Sequence, residues 1–232
     1  GRAVTLSVFQ AVGRIARELG ALEPEELAQG IDRALAALAS ALDLEEAVVA
    51  TLSRDRRHIV IEHQLRTKTG LGRSMAVASA GSLTRELLAG NAVVVESVAR
   101  VAANEAERAE ALALSLESML AVPVSHRGEA IALLVVGTVT HERRFLPGEV
   151  DAVQLLSDVL AGAFARRRAG SDWSKLADCL RGFGTDSRAN IDRLTSLAGE
   201  ILGGDAALYN RLSEGHLCTW GRWCAPADLP VL

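Results

Sequence analysis

The chain has 232 residues, 49% of them apolar, with 25 basic and 29 acidic side chains and a net charge of −4. That apolar content excludes a disordered chain, and the acidic balance argues against a nucleic-acid footprint. No run reaches the ~20 apolar residues of a membrane span, and no signal-peptide pattern opens the chain, so a cytoplasmic protein with neither nucleic-acid nor membrane partners is expected.

Val4, Phe9, Val12, Ile15, Ala16 and Leu19 recur at helical spacing, which predicts a helix over 4–19 stopped by Gly20. Pro24 and the acids beside it suit the first turn of a second helix, whose stripe is Leu27, Ile31, Leu35, Leu38 and Leu42, ending near Asp43. The pattern then switches. Ala47–Leu52 and His58–His63 read as strands of one hairpin around the polar turn 53–56. Residues 65–80 suit a loop, and 82–88 a short helix that Ser82 caps and Gly90 stops. A third strand is expected over 92–98, a helix over 104–116, and a fourth strand over 119–124, where Pro123 removes a ladder donor and should interrupt the ladder or leave it exposed. After a turn at His126-Arg127-Gly128, Ala130–Val139 is the longest and most apolar strand, expected at the sheet centre.

Pro147 opens a long helix to about Ala169 with two apolar stripes. One is Val150, Val153, Leu156, Leu160 and Phe164; the other is Ala152, Leu155, Val159 and Ala163. A helix on its own sheet needs one stripe; two point to a further helical neighbour, such as that of a second subunit. Arg166-Arg167-Arg168 sits at the predicted end of this helix, where cations complement the dipole. A joint over 171–189 follows, with a short helix around 173–180. Adjacent strands and flanking helices together give an α+β class with an antiparallel sheet of about five to six strands, helices on both faces, and long N- and C-terminal helices.

The sequence also repeats. At an offset of 160 positions, Ile31-Asp32-Arg33 falls on Ile191-Asp192-Arg193, Leu42 on Leu202, Ala47 on Ala207 and Leu52-Ser53 on Leu212-Ser213. A period this long is a domain rather than a solenoid unit. The expected organisation is a helix over 1–21, a domain over 22–170, a linker over 171–189 and the opening of an incomplete second copy over 190–232. Cys179, Cys218 and Cys224 all lie after residue 178, in an odd number that makes no disulfide framework. His216, Cys218 and Cys224 have no CxxC pair or fourth ligand, so no metal site is expected.

Ser118-Met119-Leu120-Ala121-Val122-Pro123-Val124, then Gly128 and the strand 130–139, resemble the "(S)-x-L-x-V-P-(L/V)-x-x-x-G-x-x-I-G-x-L" signature of GAF domains. The departure is Ala132, where many members carry Gly. Phe145-Leu146-Pro147 and the acid after them resemble the family's "F-(S/T)-x-x-(D/E)" entrance to its last helix. The resemblance covers about 22–169, and Asn190–Leu194 with Ala207–Leu212 is similar to GAF domains of bacterial sensor proteins, often histidine kinases.

The resemblance implies a sensory module that encloses a small molecule under residues 65–90 and 99–117 and passes a shift to a downstream signalling domain. Polar ligand-binding candidates by position are Arg73, Ser74, Ser82, Thr84, Arg85 and Glu96, with His63 as a strand-end residue able to point inward. In relatives the first and last helices pair across a dimer, so Phe9, Val12, Leu155, Val159 and Ala163 are the expected homodimer contacts. No particular cofactor is indicated. The cyclic-nucleotide constellation is missing, and the complete copy has no thiol for a bilin. The enzymatic alternative is a redox enzyme like free-methionine-sulfoxide reductases, working through the later cysteines. A third alternative is a ligand-free dimerisation module. No Walker loop or GxSxG motif appears, and His141-Glu142-Arg143 lies in a strand-to-helix turn rather than on a phosphoacceptor hairpin, so no catalytic residue is expected.

Overall fold

The computed structural model describes residues 2–65, 74–98 and 115–225. The chain divides into two units, Gly1–Leu52 with His58–Arg167, and Ser53–Arg57 with Arg168–Leu232. The first unit holds α1 (Arg2–Ala21), α2 (Leu27–Leu42), β1 (Glu46–Leu52), β2 (His58–Gln64), β3 (Ser74–Ala76), a 3-10 turn (Val77–Ser79), α3 (Ser82–Leu88), β4 (Val93–Val95), β5 (Ser118–His126), β6 (Glu129–Thr138) and the start of α4 (Pro147–Arg181). The strand order is β3-β2-β1-β6-β5-β4, antiparallel at every pairing. The expected α+β class with a six-stranded sheet is observed, and the apolar β6 is central because both its neighbours and both its faces are occupied.

Alternation along the strands builds two cores. Ala47, Val49, Leu120, Val122, Leu134 and Val136 face a helical layer supplied by Ile15 and Leu19 of α1, Ile31, Leu35 and Leu38 of α2, and Leu156 and Leu160 of α4. Val48, Ala50, Ile59, Met119, Ala121, Leu133 and Val135 line the other face with Leu87, Val95, Val98 and Leu116. Each Val, Leu, Ile or Met side chain so withdrawn from water stabilises the fold by about 1.5–3 kcal/mol.

Several local expectations are corrected. Helix α2 begins at Leu27 rather than Pro24, because Glu23–Glu26 closes its own turn: Glu26 N–H donates to the Glu23 carbonyl (3.0 Å) and Glu23 N–H to the Glu26 carboxylate (3.1 Å). Ser74–Ala76 pairs as an edge strand although its short sequence has no alternating pattern. Gly81, not Ser82, occupies the N-cap of α3, its carbonyl accepting from Arg85 N–H (3.1 Å). The strand expected over 92–98 is only Val93–Val95 long, since the Glu96 carbonyl turns to Ser118 Oγ and Val98 N–H to Glu117. Pro123 meets the expectation: β4 starts at Val93 opposite Ala121, so the ladder is open on that side of Pro123, while β5 continues against β6 to a bulge at Val124/Ser125. The helix expected over 104–116 falls outside the described residues up to 114, and Ser115 has φ +52°, which is not helical.

One polar network joins three elements at the end of the helical layer. The Arg143 guanidinium pairs with buried Glu149 of α4 (2.6 Å) and donates to the Leu42 and Asp43 carbonyls at the end of α2. Its backbone N–H donates to Ser118 Oγ at the start of β5 (2.6 Å), and its charge lies 5.4 Å from the Phe145 ring centre. The second carboxylate oxygen of Glu149 accepts from Leu146 N–H (2.9 Å), the reciprocal half of a capping box with Pro147 at the first helical position.

The second unit contains the rest of α4, α5 (Ser187–Leu202), β7 (Ala206–Ser213) and β8 (His216–Cys224). Helix α4 continues through Gly170, so the separate short helix expected over 173–180 is part of it. A lone glycine costs about 1 kcal/mol in a helix, and Asp172 is held by Arg54 in a two-point ion pair. The 160-position offset maps both ends of α2 onto both ends of α5 and the β1 start onto the β7 start. It maps the left-handed cap Asp43 (φ +53°) onto Gly203 (φ +65°), and the β1–β2 register shift at Val49/Ala50 onto the β7–β8 shift at Tyr209/Asn210.

Two stability outcomes are expected. Glu149→Ala leaves the half-buried Arg143 guanidinium without its carboxylate and should cost about 1–3 kcal/mol in urea denaturation followed by circular dichroism, with Arg143→Met added to Glu149→Leu restoring most of it. Gly203→Ala should destabilise by more than the ~1–2 kcal/mol of left-handed backbone alone, because a Cβ there would lie 2.7 Å from the Arg54 carbonyl carbon; thermal unfolding of the second unit, read by tryptophan fluorescence, measures it.

Candidate functional site

The sheet face opposite the helical layer is where the sequence places ligand contacts, and its floor is aliphatic: Val48, Ala50, Met119, Ala121, Leu133 and Val135. Helix α3 lies over it and brings Ser82, Thr84 and Arg85 together on one turn. Of these, Thr84 is buried, Ser82 half-buried and Arg85 exposed. Ser74 is exposed on the edge strand β3, and Arg73 lies outside the described residues. The Glu96 carboxylate is exposed and pairs with the Arg144 guanidinium at 3.3 Å.

His63 is not on that face. Strict alternation would group it with Ile59 and Ile61, but the register shift leaves Glu62 as an extra residue in β2, so His63 stands opposite Val49 and Ile61 opposite Ala50. A bulge of this kind turns every later side chain over. His63 therefore enters the helical layer, 5% exposed and 6.2 Å from the Phe164 ring. Its Nδ1 is 2.7 Å from Asp32 of α2, and its Nε2 is 3.3 Å from an Arg167 nitrogen of α4. Arg167 also pairs with Glu62 and stacks over Phe164 at 5.0 Å.

The arginine run is thus placed differently from the expectation of a helix terminus. Helix α4 continues to Arg181, while Arg166 donates to the Leu19 carbonyl (2.6 Å) and Arg167 to Glu62. Sequence reasoning missed Asp32, Glu62 and Arg167 as a cluster; the repeated Ile-Asp-Arg motif was the one available signal. The dimer candidates also separate. Val12 and Ala163 are each 1% exposed, consumed by the chain's own core, and Phe9 and Val159 are half-buried against it, whereas Leu155 is 44% exposed.

In the second unit a groove of about 690 Å³ is lined by Asp186, Arg188, Asp192, Leu208, Trp220 and Arg222. Asp186 caps α5, Asp192 accepts from Arg222 N–H (3.1 Å), and Arg211 stacks on Trp220 at 4.8 Å. Cys218 and Cys224 are exposed on β8, and among the described residues no group of three His, Cys, Asp or Glu could hold a metal. No described helix is long and apolar enough to cross a membrane.

Burial alone would push the Glu62 carboxyl up, but hydrogen bonds from Thr51 (2.7 Å) and Arg167, with the Arg167 and His63 charges, hold it below its ordinary 4.5. A depressed acid adds stability that is complete above its unfolded value and lost as pH falls through the folded one. Glu62→Gln should therefore lower the melting temperature at neutral pH, and the gap from the parent should close below pH 4.5; a pH series of thermal melts measures it.

The GAF domain family model matches residues 26–164, more than half of the chain. Solved structures share the fold. The GAF domain of an Acinetobacter phosphoenolpyruvate-protein phosphotransferase is 18% identical over 69% of this chain and 93% of its own, with a TM-score of 0.56. The phycoerythrobilin-bound GAF domain of a cyanobacterial phytochrome is 18% identical over 72% and 97%, at 0.56. Free methionine-R-sulfoxide reductase from Neisseria meningitidis, in complex with its substrate, is 15% identical over 72% and 93%, at 0.58. No curated protein matches the sequence. With its signature strand, its capped last helix and its six-stranded antiparallel sheet, this chain belongs to the GAF domain family.

Proposed function

We propose that this chain is a non-catalytic sensory and regulatory module that relays conformation through a homodimer built on α4, with a small molecule or a neighbouring domain as input. The observation that carries the reading is a seam on α4. Leu155, Val159, Gly162, Arg166, Ala169, Trp173, Leu176 and Leu180 follow one another at alternating four- and three-residue steps along one 35-residue helix. Leu155 is 44%, Trp173 70% and Leu180 49% exposed. A 3.5-residue repeat keeps facing the same side only when two helices supercoil. A second copy of the same helix presents the matching seam, and an identical partner gives a closed two-fold assembly.

A sheet face floored by aliphatic side chains supports a ligand with an apolar body. The redox alternative has less support: residues 1–178 contain no cysteine, and the likeness to a reductase is one of fold. The coincident helix ends, left-handed cap and strand bulge support a second GAF copy beginning at α5. In a tandem arrangement α4 is the rod through which one copy would bias the next. Ligand binding shifts such a state only by favouring one arrangement of the rod over the other.

The chain should sediment at twice its 24.5 kDa mass. Leu155→Asp with Trp173→Asp should give the monomer with an unchanged circular dichroism spectrum. In a background with Cys179, Cys218 and Cys224 replaced by Ser, Leu180→Cys should crosslink to its own copy if the helices run parallel. A parent chain that sediments as a monomer rejects the relay.

A further inference from the structure

We propose that His63 is a proton-operated latch on α4: as a neutral imidazole it holds Arg167 against β2, and on taking a proton at Nε2 it releases that hold. The two ring nitrogens face partners of opposite kinds. Asp32 offers a carboxylate oxygen 2.7 Å from Nδ1, so Nδ1 must carry the hydrogen. Arg167 has donors only, 3.3 Å from Nε2, so Nε2 must offer its lone pair. Both contacts are satisfied by one species, the neutral Nδ1–H tautomer. A proton from solvent at Nε2 removes the acceptor and sets an imidazolium against a guanidinium in a site where His63 is 5% exposed.

The charged groups around the ring come from every element packed on it: Asp32 from α2, Glu62 from β2 and Arg167 from α4, with the Phe164 ring between. Glu62 is already ionised throughout the range in which histidine titrates, since its carboxyl lies below 4.5. Neutral His63 leaves Glu62 to Arg167. The imidazolium, whose Nε2 is 3.9 Å from the same carboxylate, competes for it. Arg167 thus loses one contact and must share the other, at the point where α4 leaves the first unit. Histidine is the one side chain whose ordinary titration lies between about pH 5 and 8, and the bulge at Glu62 alone brings this one into the helical layer. The inference concerns the first unit and holds whether or not α4 pairs with a second copy.

Three measurements on the full chain decide it. In hydrogen exchange corrected for intrinsic rates, protection over residues 160–170 should fall about tenfold from about pH 7.5 to about pH 5.5, the size of one lost hydrogen bond from a charged donor. His63→Gln, which keeps a donor and an acceptor but cannot titrate, should flatten that dependence. Unchanged protection in the parent, or an equal fall in His63→Gln, overturns the latch. Nitrogen-15 shifts of the His63 ring should report the Nδ1–H tautomer at the higher pH; an Nε2–H tautomer overturns it. Arg167→Gln removes the guanidinium that the imidazole holds and should abolish the pH dependence of protection over residues 160–170, which a merely space-filling histidine would not govern; an unchanged dependence overturns it.

Discussion

The helical layer can sit on the sheet only if the end of α2, the start of β5 and the start of α4 meet at one place, and a single residue, Arg143, holds them there through its guanidinium and its backbone N–H. Arg143 satisfies the terminal carbonyls of α2, which have no partners within their own helix. It accepts its own neutralisation from Glu149, whose second oxygen caps α4. The buried charge of Glu149 is tolerable because both its oxygens accept, one from Arg143 and one from Leu146 N–H. The orientation of α4 follows from this junction, and with it the packing of Leu156 and Leu160 over the sheet.

The sheet then separates two kinds of chemistry. Its floor on the α3 side is aliphatic, with Thr84 as the buried polar group of that helix. The helical side carries His63 with Asp32, Glu62 and Arg167 of α4 around it. One extra residue, Glu62, makes the separation, since it turns His63 away from Ile59 and Ile61. The two faces are joined through the strands β1 and β2 themselves. Packed interiors transmit shifts because they deform little.

The second unit repeats the opening of the first in backbone geometry more faithfully than in side chains. Helix ends, cap and bulge coincide under the same offset. One side chain does not: the position of His63 in the bulged strand is taken by Gly221, packed on Thr195. Among the described residues of the second unit, Gly221 thus stands where the first unit has His63.

The sequence by itself determined the fold class, the signature strand, the central position of β6 and the helix stripes, because these rest on periodicity and on residues adjacent in the chain. Leu27 to Leu42 and Ala130 to Thr138 are legible for that reason. Only the tertiary structure decided where His63 points and what Arg167 touches. A one-residue bulge leaves no mark in a pattern of period two, and Asp32, Glu62 and Arg167 are far apart in sequence. It likewise decided that Val12 and Ala163 are spent inside the chain while Leu155 is left outside, since an apolar stripe reveals that a face is covered and not which helix covers it.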